Sequence, residues 1–408
     1  MPHQNIVFHG LLKHIRWATL DRLVDEHDAD RDSRMVKSKA HLIAMLLAQF
    51  CGTRGLRDIE ANLKTHADKL YHLGGRTISK SALSTANAKR PAEVFSGLLT
   101  ALMQQLQAGY RQKIGDCVRL IDSTSVQLSN LSGDWATFSA GVCGAKAHIV
   151  YDPDADQPLY LMVTASNVND ITAAKEMPIE AGATYVFDLG YYDFGWWAAL
   201  DQAGCRIVTR LKSNTPFRAV EDRPVAPGSP ILSDRTGYLP ARLAASRRNP
   251  MSALVREVQV IIETGKVLRI FTNDLTATAQ EIADLYKRRW AIELFFRWVK
   301  QTLKISHFLG ISENAVRIQI IVALIAFLLL RLAHEAHKIV ASLLAFARLI
   351  RANLMHRKAI ADLLKPPPSR IEARQTVFDY GPHATRAARR RRDLRLAAVT
   401  HAVTARAA

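Results

Sequence analysis

An α/β protein is predicted, with an all-helical N-terminal segment ahead of an alternating strand-and-helix core. Three observations carry this. Residues 1–110 show helical periodicity punctuated by glycines and no strand pattern. Beyond residue 117, short β-branched and aromatic runs take over, two of them ending on an aspartate. Near residue 290, a long amphipathic stretch carries both acidic and basic residues.

In the N-terminal segment, helices are expected at Leu11–His27, His41–Cys51, Leu56–Leu63 and Pro91–Ala108, with Gly52 and Gly74-Gly75 as breakers. The stretch Thr77-Ile-Ser79-Lys80-Ser-Ala-Leu83-Ser-Thr-Ala-Asn87-Ala-Lys89-Arg90-Pro has helix-turn-helix character. Ser79 is its expected cap, and Lys80, Asn87, Lys89 and Arg90 are expected to be available to DNA; a plain helical hairpin fits the same pattern.

The core begins with Cys117-Val-Arg-Leu-Ile121-Asp122, an apolar strand leading to a carboxylate. Runs at Ala147–Tyr151 and Leu159–Ala165 flank Asp152-Pro-Asp-Ala-Asp-Gln-Pro158, a hairpin link. Asn169-Asp170 precedes a helix expected over Ile171–Ala181, and a fourth strand then ends at Asp188, where Gly190 lets the chain turn closely. Asp193, five residues on, is the alternative to Asp188 as a ligand; its place after the turn favours Asp188. A helix at Trp196–Ala203 and a strand at Cys205–Leu211 follow. Three strands, helix, strand, helix, strand is the order of an RNase H-like fold. From Asp188 to Glu293 is 293 − 188 = 105 residues, too many for one helix and one strand. A β-rich insertion over about 212–275 is expected, with Glu263-Thr-Gly265 as a hairpin turn, and one long helix, Ala277–Lys304, would then deliver Glu293.

In Tyr286-Lys-Arg-Arg289-Trp-Ala-Ile-Glu293-Leu-Phe-Phe-Arg-Trp-Val-Lys300, offsets of 3, 7 and 14 from Tyr286 return to nearly one helical azimuth. The carboxylate suits a cation, and the flanking Arg and Lys suit phosphates. An ordinary amphipathic helix with outward charges is the alternative. Asp122 and Asp188 upstream weaken it, because three hard oxygen ligands without imidazole or thiolate select Mg2+, with Mn2+ substituting, two ions per site.

The Tyr-x2-Arg-x3-Glu-x6-Lys pattern with the two upstream aspartates resembles the DDE transposases of insertion-sequence family four. The N-terminal Gly52-Thr-Arg-Gly-Leu56-Arg57-Asp-Ile59-Glu60 and Leu83-Ser-Thr-Ala-Asn87 segments are similar to that family's. The resemblance implies Asp122, Asp188 and Glu293 as catalytic metal ligands and Tyr286, Arg289 and Lys300 as DNA contacts. It also implies cut-and-paste transposition of an element whose terminal inverted repeats are paired by a homodimer. An RNase H-like nuclease without strand transfer and a domesticated DNA-binding regulator are the competing functions.

Composition agrees. With 55 Lys and Arg against 37 Asp and Glu, the formal charge is +18, which favours double-stranded DNA as partner. Four cysteines lack metal-ligand spacing and are expected to be reduced thiols in a cytoplasmic, nucleoid-associated bacterial protein. No secretory signal is evident, and Ile320–Leu330, at 11 residues, falls short of a bilayer span, so it is expected as a buried helix behind Glu293 and no membrane partner is expected. The expected division is 1–110 helical and DNA-binding, 111–345 catalytic, and 346–408 a helical segment and basic tail, with Arg386, Arg389–Arg392, Arg395 and Arg406 bound to phosphate backbones or solvated.

Overall fold

In the computed structural model, residues 6–31, 33, 36–107, 117–139, 142–243, 247–302 and 308–364 are described. The basic tail lies outside them. The chain opens with helices α1 (Val7–Leu12), α2 (Trp17–Glu26), α3 (Ser38–Cys51), α4 (Leu56–Thr65), α5 (Ala67–Tyr71), α6 (Lys80–Lys89) and α7 (Ala92–Gln107). The helix expected over Leu11–His27 is two helices, because the chain turns after Leu12 and drops Ile15, 3% exposed, into the core. Helix α3 is buried on nearly all sides and stops at Gly52, whose φ of 67° supplies the left-handed cap.

The strands and helices of the core follow: β1 (Val118–Leu128), α8 (Gly133–Ala136), β2 (Thr137–Ser139), β3 (Val142–Asp152), β4 (Gln157–Ala165), α9 (Asp170–Glu176), β5 (Thr184–Phe187), α10 (Phe194–Gln202) and β6 (Arg206–Arg210). They lie side by side as β4–β3–β1–β5–β6, with short β2 on β3. Strand β3 runs antiparallel to β1 and β4, whereas β5 is parallel to β1 and β6 to β5. Helix α9 is shorter than the sequence suggests, because Pro178 disfavours helical backbone at the preceding Met177.

The next segment holds β7 (Arg218–Asp222), β8 (Ile231–Tyr238), β9 (Arg242–Leu243), β10 (Arg247–Arg248), β11 (Val255–Ile261) and β12 (Val267–Thr272). The expected insertion is β-rich, but it is not a separate layer. Strand β12 pairs antiparallel with β6, and β11, β8 and β7 extend the same sheet to ten strands; β9 and β10 form a small ribbon.

Four α-helices follow, α11 (Ala279–Arg288), α12 (Trp290–Thr302), α13 (Glu313–Ala336) and α14 (Leu343–Asn353), and a 3-10 helix at Ile360–Leu364 ends the described chain. The expected single helix over Ala277–Lys304 is broken at Arg289. There the N–H bonds to the Tyr286 carbonyl three residues back, a tightened turn that separates α11 from α12. Helix α13, at 24 residues, is longer than the apolar run suggested and passes a length-and-composition test for a membrane span; 89% of that window is buried within the protein, the position of a core helix. It packs against α3, α6 and α7 and also against α12, so the N-terminal helices and the sheet share one hydrophobic core. None of the four cysteines is in a disulfide, and Cys117, Cys143 and Cys205 are buried.

Candidate active site

Register brings the two strand carboxylates together. In the parallel β1–β5 pair, Ile121 is opposite Phe187, so Asp122 and Asp188 each come one residue later on adjacent strands. Alternation then decides the face. Leu120 and Val186 belong to the core shared with α12 and α13, whereas Ile121 and Phe187 face an aromatic core around Trp197. Asp122 and Asp188 therefore share the α12 face. The Ser123 N–H donates to Asp122 Oδ1 at 2.8 Å, and the Gly190 N–H donates to Asp188 Oδ1 at 2.8 Å.

Helix α12 supplies the third carboxylate. Its apolar residues Ile292, Phe295, Phe296 and Val299 are buried, with the Phe295 ring 4.9 Å from Tyr151 of β3 and 5.2 Å from Phe327 of α13. That packing fixes Glu293 in the first turn. Arg289, at the break, spans the gap: one Nη lies 3.4 Å from Asp122 Oδ2 and the other bonds to Glu293 Oε1. Burial pushes the Asp122 carboxyl up to about 7, and the negative charges of Asp188 and Glu293 push in the same direction; the Ser123 N–H and Arg289 oppose them.

The other expected contacts divide. Tyr286 is 8% exposed, with burial raising its phenol and the Arg210 guanidinium 5.9 Å from its ring centroid. It lines a groove of about 790 Å³ between α11 and the β11–β12 hairpin, together with Arg210, Lys266, Lys287, Arg289 and Trp290. Lys300 is half-buried two turns beyond Glu293, about 10 Å further along the helix, and burial lowers its ammonium. Asp193 caps α10 through the Trp196 N–H at 2.8 Å and pairs with Lys175, which leaves Asp188 as the carboxylate beside Asp122.

In the N-terminal segment, Ser79 caps α6 as expected, and Lys80 and Lys89 are exposed. Two expectations there need correction. Asn87 is 2% exposed, its Oδ1 2.7 Å from His41 Nε2, and Arg90 is 5% exposed, bound to Asp30 and to the Ala29 and Val36 carbonyls. Both are fixed inside the fold.

Asp170, at the start of α9, and Lys146 and His148, on β3, are not among the residues that the sequence pattern marks for the site. Asp170 Oδ1 accepts from Ser123 Oγ at 2.8 Å and from Lys146 Nζ at 3.1 Å, and His148 Nδ1 lies 3.7 Å away. The available signal was a Lys and a His two residues apart in an otherwise apolar strand.

The acidic donor set suits a hard divalent cation, which would relieve the crowding of charge around Asp122. Among the described residues, no three His, Cys, Asp or Glu side chains stand ready to hold one ion, and Arg289 reaches both Asp122 and Glu293.

A mixed α/β core in which two strand aspartates face a helix carrying Glu293, with Arg289 at its start, is a setting for metal-assisted chemistry on phosphate esters. Residues 113–329 match the transposase DDE domain, more than half of the chain, and residues 3–76 match a domain of unknown function (DUF4372). The transposase y4zB of Sinorhizobium fredii is 41% identical over 290 residues, covering 70% of this chain and 80% of that protein. The transposase for insertion sequence element IS5377 of Geobacillus stearothermophilus is 27% identical over 266 residues, 64% of this chain and 68% of that one. A piggyBac transposase synaptic complex with hairpin DNA aligns over 93% of this chain and 86% of that chain at 10% identity, with a TM-score of 0.44, too low to bear on the fold.

The chain belongs to the DDE transposases. Its relatives from insertion sequence elements put it in insertion-sequence family four. It is a DNA-binding enzyme of DNA strand cleavage and transfer, in a family that uses divalent metal ions.

Proposed function

We propose that the protein moves an insertion sequence by cut-and-paste, with Asp122, Asp188 and Glu293 holding two Mg2+ ions, for which Mn2+ substitutes, in an RNase H-like core. The observation that carries this reading is the register. Two carboxylates stand one residue past Ile121 and Phe187 on adjacent parallel strands, on the face where Arg289 links Asp122 to Glu293. The β4–β3–β1–β5–β6 order, with only β3 reversed relative to its neighbours β1 and β4, supports the RNase H-like assignment.

When bound, the ions supply an activated water or 3′-hydroxyl and neutralise charge on the leaving oxygen. The protein's own groups do the rest. Arg289 offsets negative charge at Asp122 and Glu293 and, with Lys300, grips backbone phosphates near the cut. Tyr286 contacts the strand from the wall of the groove. The helices of residues 1–110 bind the terminal inverted repeats, with Lys80 and Lys89 on the exposed face of α6. Two protomers pair two ends, and the work is done at the nucleoid in the cytoplasm.

The deciding experiment is cleavage and strand transfer on a labelled element end with Mg2+, wild type beside Asp188→Ala and Glu293→Ala. Products in wild type and in neither variant are expected. Cleavage without joined products would leave a nuclease, and undiminished cleavage by Glu293→Ala would remove that residue from the site.

A further inference from the structure

Behind Asp122, on the opposite face of the sheet, lies a polar cluster that the proposed chemistry does not use. Ser123 follows Asp122 and points the other way, beside its β3 partner His148, and Lys146 shares that face two residues along. The side chains of His148, Lys146 and Asp170 are 0%, 17% and 23% exposed. Lodging a lysine, a histidine and a carboxylate here is costly unless they are paired, and the His148 Nδ1 has no hydrogen-bond partner within the described structure.

What joins them is Asp170. Its Oδ1 takes the Ser123 hydroxyl at 2.8 Å and Lys146 Nζ at 3.1 Å, and Lys146 also bonds to the Val168 carbonyl at 2.9 Å, which ties down the chain entering α9. From the same residue whose hydroxyl Asp170 holds, the backbone N–H donates to Asp122 Oδ1. The other oxygen of Asp170 flanks the turn after the second strand carboxylate: a Cβ placed on Gly190 would lie 3.0 Å from both Asp170 Oδ2 and Asp188 Oδ1, so the two carboxylates close on a position that only glycine leaves open. Asp170 thus holds the residue that supports Asp122 by a hydrogen bond and stands beside the bare Gly190 turn that supports Asp188.

We infer that Asp170 is a positioning residue, orienting Asp122 through Ser123 and Asp188 through the Gly190 turn, so that both present their oxygens to a divalent cation. The inference rests on the reading of Asp122 and Asp188 as cation ligands. Asp170 is not itself a ligand, because Oδ1 is engaged by Ser123 and Lys146 and the group stands behind the sheet. Residues that orient metal ligands typically change affinity by about 10- to 100-fold when removed.

The test is direct binding of Mn2+ alone to the full chain, followed by the loss of the free-ion electron paramagnetic resonance signal. Wild type is compared with Asp122→Ala, Asp170→Ala, Asp170→Asn, Ser123→Ala and the Ser123→Ala/Asp170→Ala double variant, with circular dichroism as the check on folding. Asp170→Ala is expected to weaken Mn2+ binding by about tenfold or more. Asp170→Asn, which still accepts from Ser123, recovers most of that. Ser123→Ala costs less in the Asp170→Ala background than alone, because both act on one chain of contacts. Unchanged affinity in Asp170→Ala would make the residue a structural anchor only, and complete loss in both Asp170 variants, matching Asp122→Ala, would make it a ligand; either overturns the inference. Should Asp170→Ala fail to fold, unchanged affinity in Ser123→Ala overturns it instead. Equal binding by wild type and Asp122→Ala is a different failure, for it removes the cation site itself and the inference with it.

Discussion

Asn87 looks like a DNA-reading residue and is built into the protein instead, and the two roles come apart on substitution. In Asn87→Ala, His41 loses the 2.7 Å contact at Nε2, and its Nδ1 has no hydrogen-bond partner within the described structure. A buried polar group left without a partner costs about 1–3 kcal/mol, and the vacated volume adds about 1 kcal/mol. Urea unfolding should therefore show a loss of roughly 2–4 kcal/mol. Lys80→Ala/Lys89→Ala removes two exposed side chains and should stay within about 0.5 kcal/mol of wild type. DNA binding reverses the order. Measured by fluorescence anisotropy on a terminal-repeat duplex across a salt series, the double lysine variant should bind more weakly. Its log–log salt slope should be shallower by about 2, close to 0.9 for each lost phosphate contact. Asn87→Ala, assayed where it is folded, should match wild type in affinity and slope. An Asn87→Ala protein of wild-type stability that had lost DNA affinity would refute the burial argument and return Asn87 to the DNA.

Phe295→Ala should cost about 3–5 kcal/mol in unfolding experiments, because the ring is 4% exposed between Tyr151 and Phe327; a loss under about 1 kcal/mol would mean that α12 is not held as described. Gly190→Ala must shift Asp170 or Asp188 by a few tenths of an ångström; cleavage should fall well beyond any change in melting temperature, and wild-type cleavage would contradict it. His41, which burial lowers to about 4 from 6.5, makes stability depend on pH: the unfolded chain binds the proton first, so stability is lost as pH falls from about 6.5 to 4, by about 3 kcal/mol. The His41→Gln difference curve should carry that slope, and a flat difference would reject it. With EDTA present, Glu293→Gln should bind DNA at least as tightly as wild type, since a negative charge beside phosphate is gone; weaker binding would mean that Glu293 supports the DNA surface itself.

What could be read from the sequence follows the range of the forces involved. Asp122 and Asp188 were visible because each ends an apolar run, and a strand's hydrophobic pattern is local. The α12 stripe was visible for the same reason. The break at Arg289 was not, because neither glycine nor proline marks it; the tightened turn accompanies ion pairs to Asp122, which is 167 residues away, and to Glu293. Alternation over residues 253–272 announced a hairpin but not its partner, since nothing in β12 encodes that it pairs with β6. Asn87 and Arg90 misled because a polar residue on a short helix is usually outside; their partners His41 and Asp30 lie 46 and 60 residues earlier. Asp170 was hidden because its helix-start position already explained it.

The chain carries +18 overall, yet the proposed site sets Asp122, Asp188 and Glu293 where a phosphate backbone would have to come. Acidic groups in that position repel the substrate unless cations stand among them; Asp122 is raised to about 7 chiefly by burial, with Asp188 and Glu293 pushing the same way. Arg289 relieves part of the repulsion from within the protein. A divalent cation relieves more, and because it carries two charges and accepts several oxygens, it can hold the carboxylates and the phosphate at once. On the proposed reading, basic residues on the surface bring DNA to the protein, and the acidic groups oppose its seating at Asp122 and Asp188. Seating then depends on the metal, so removing the ion should abolish cleavage while leaving salt-dependent DNA binding in place.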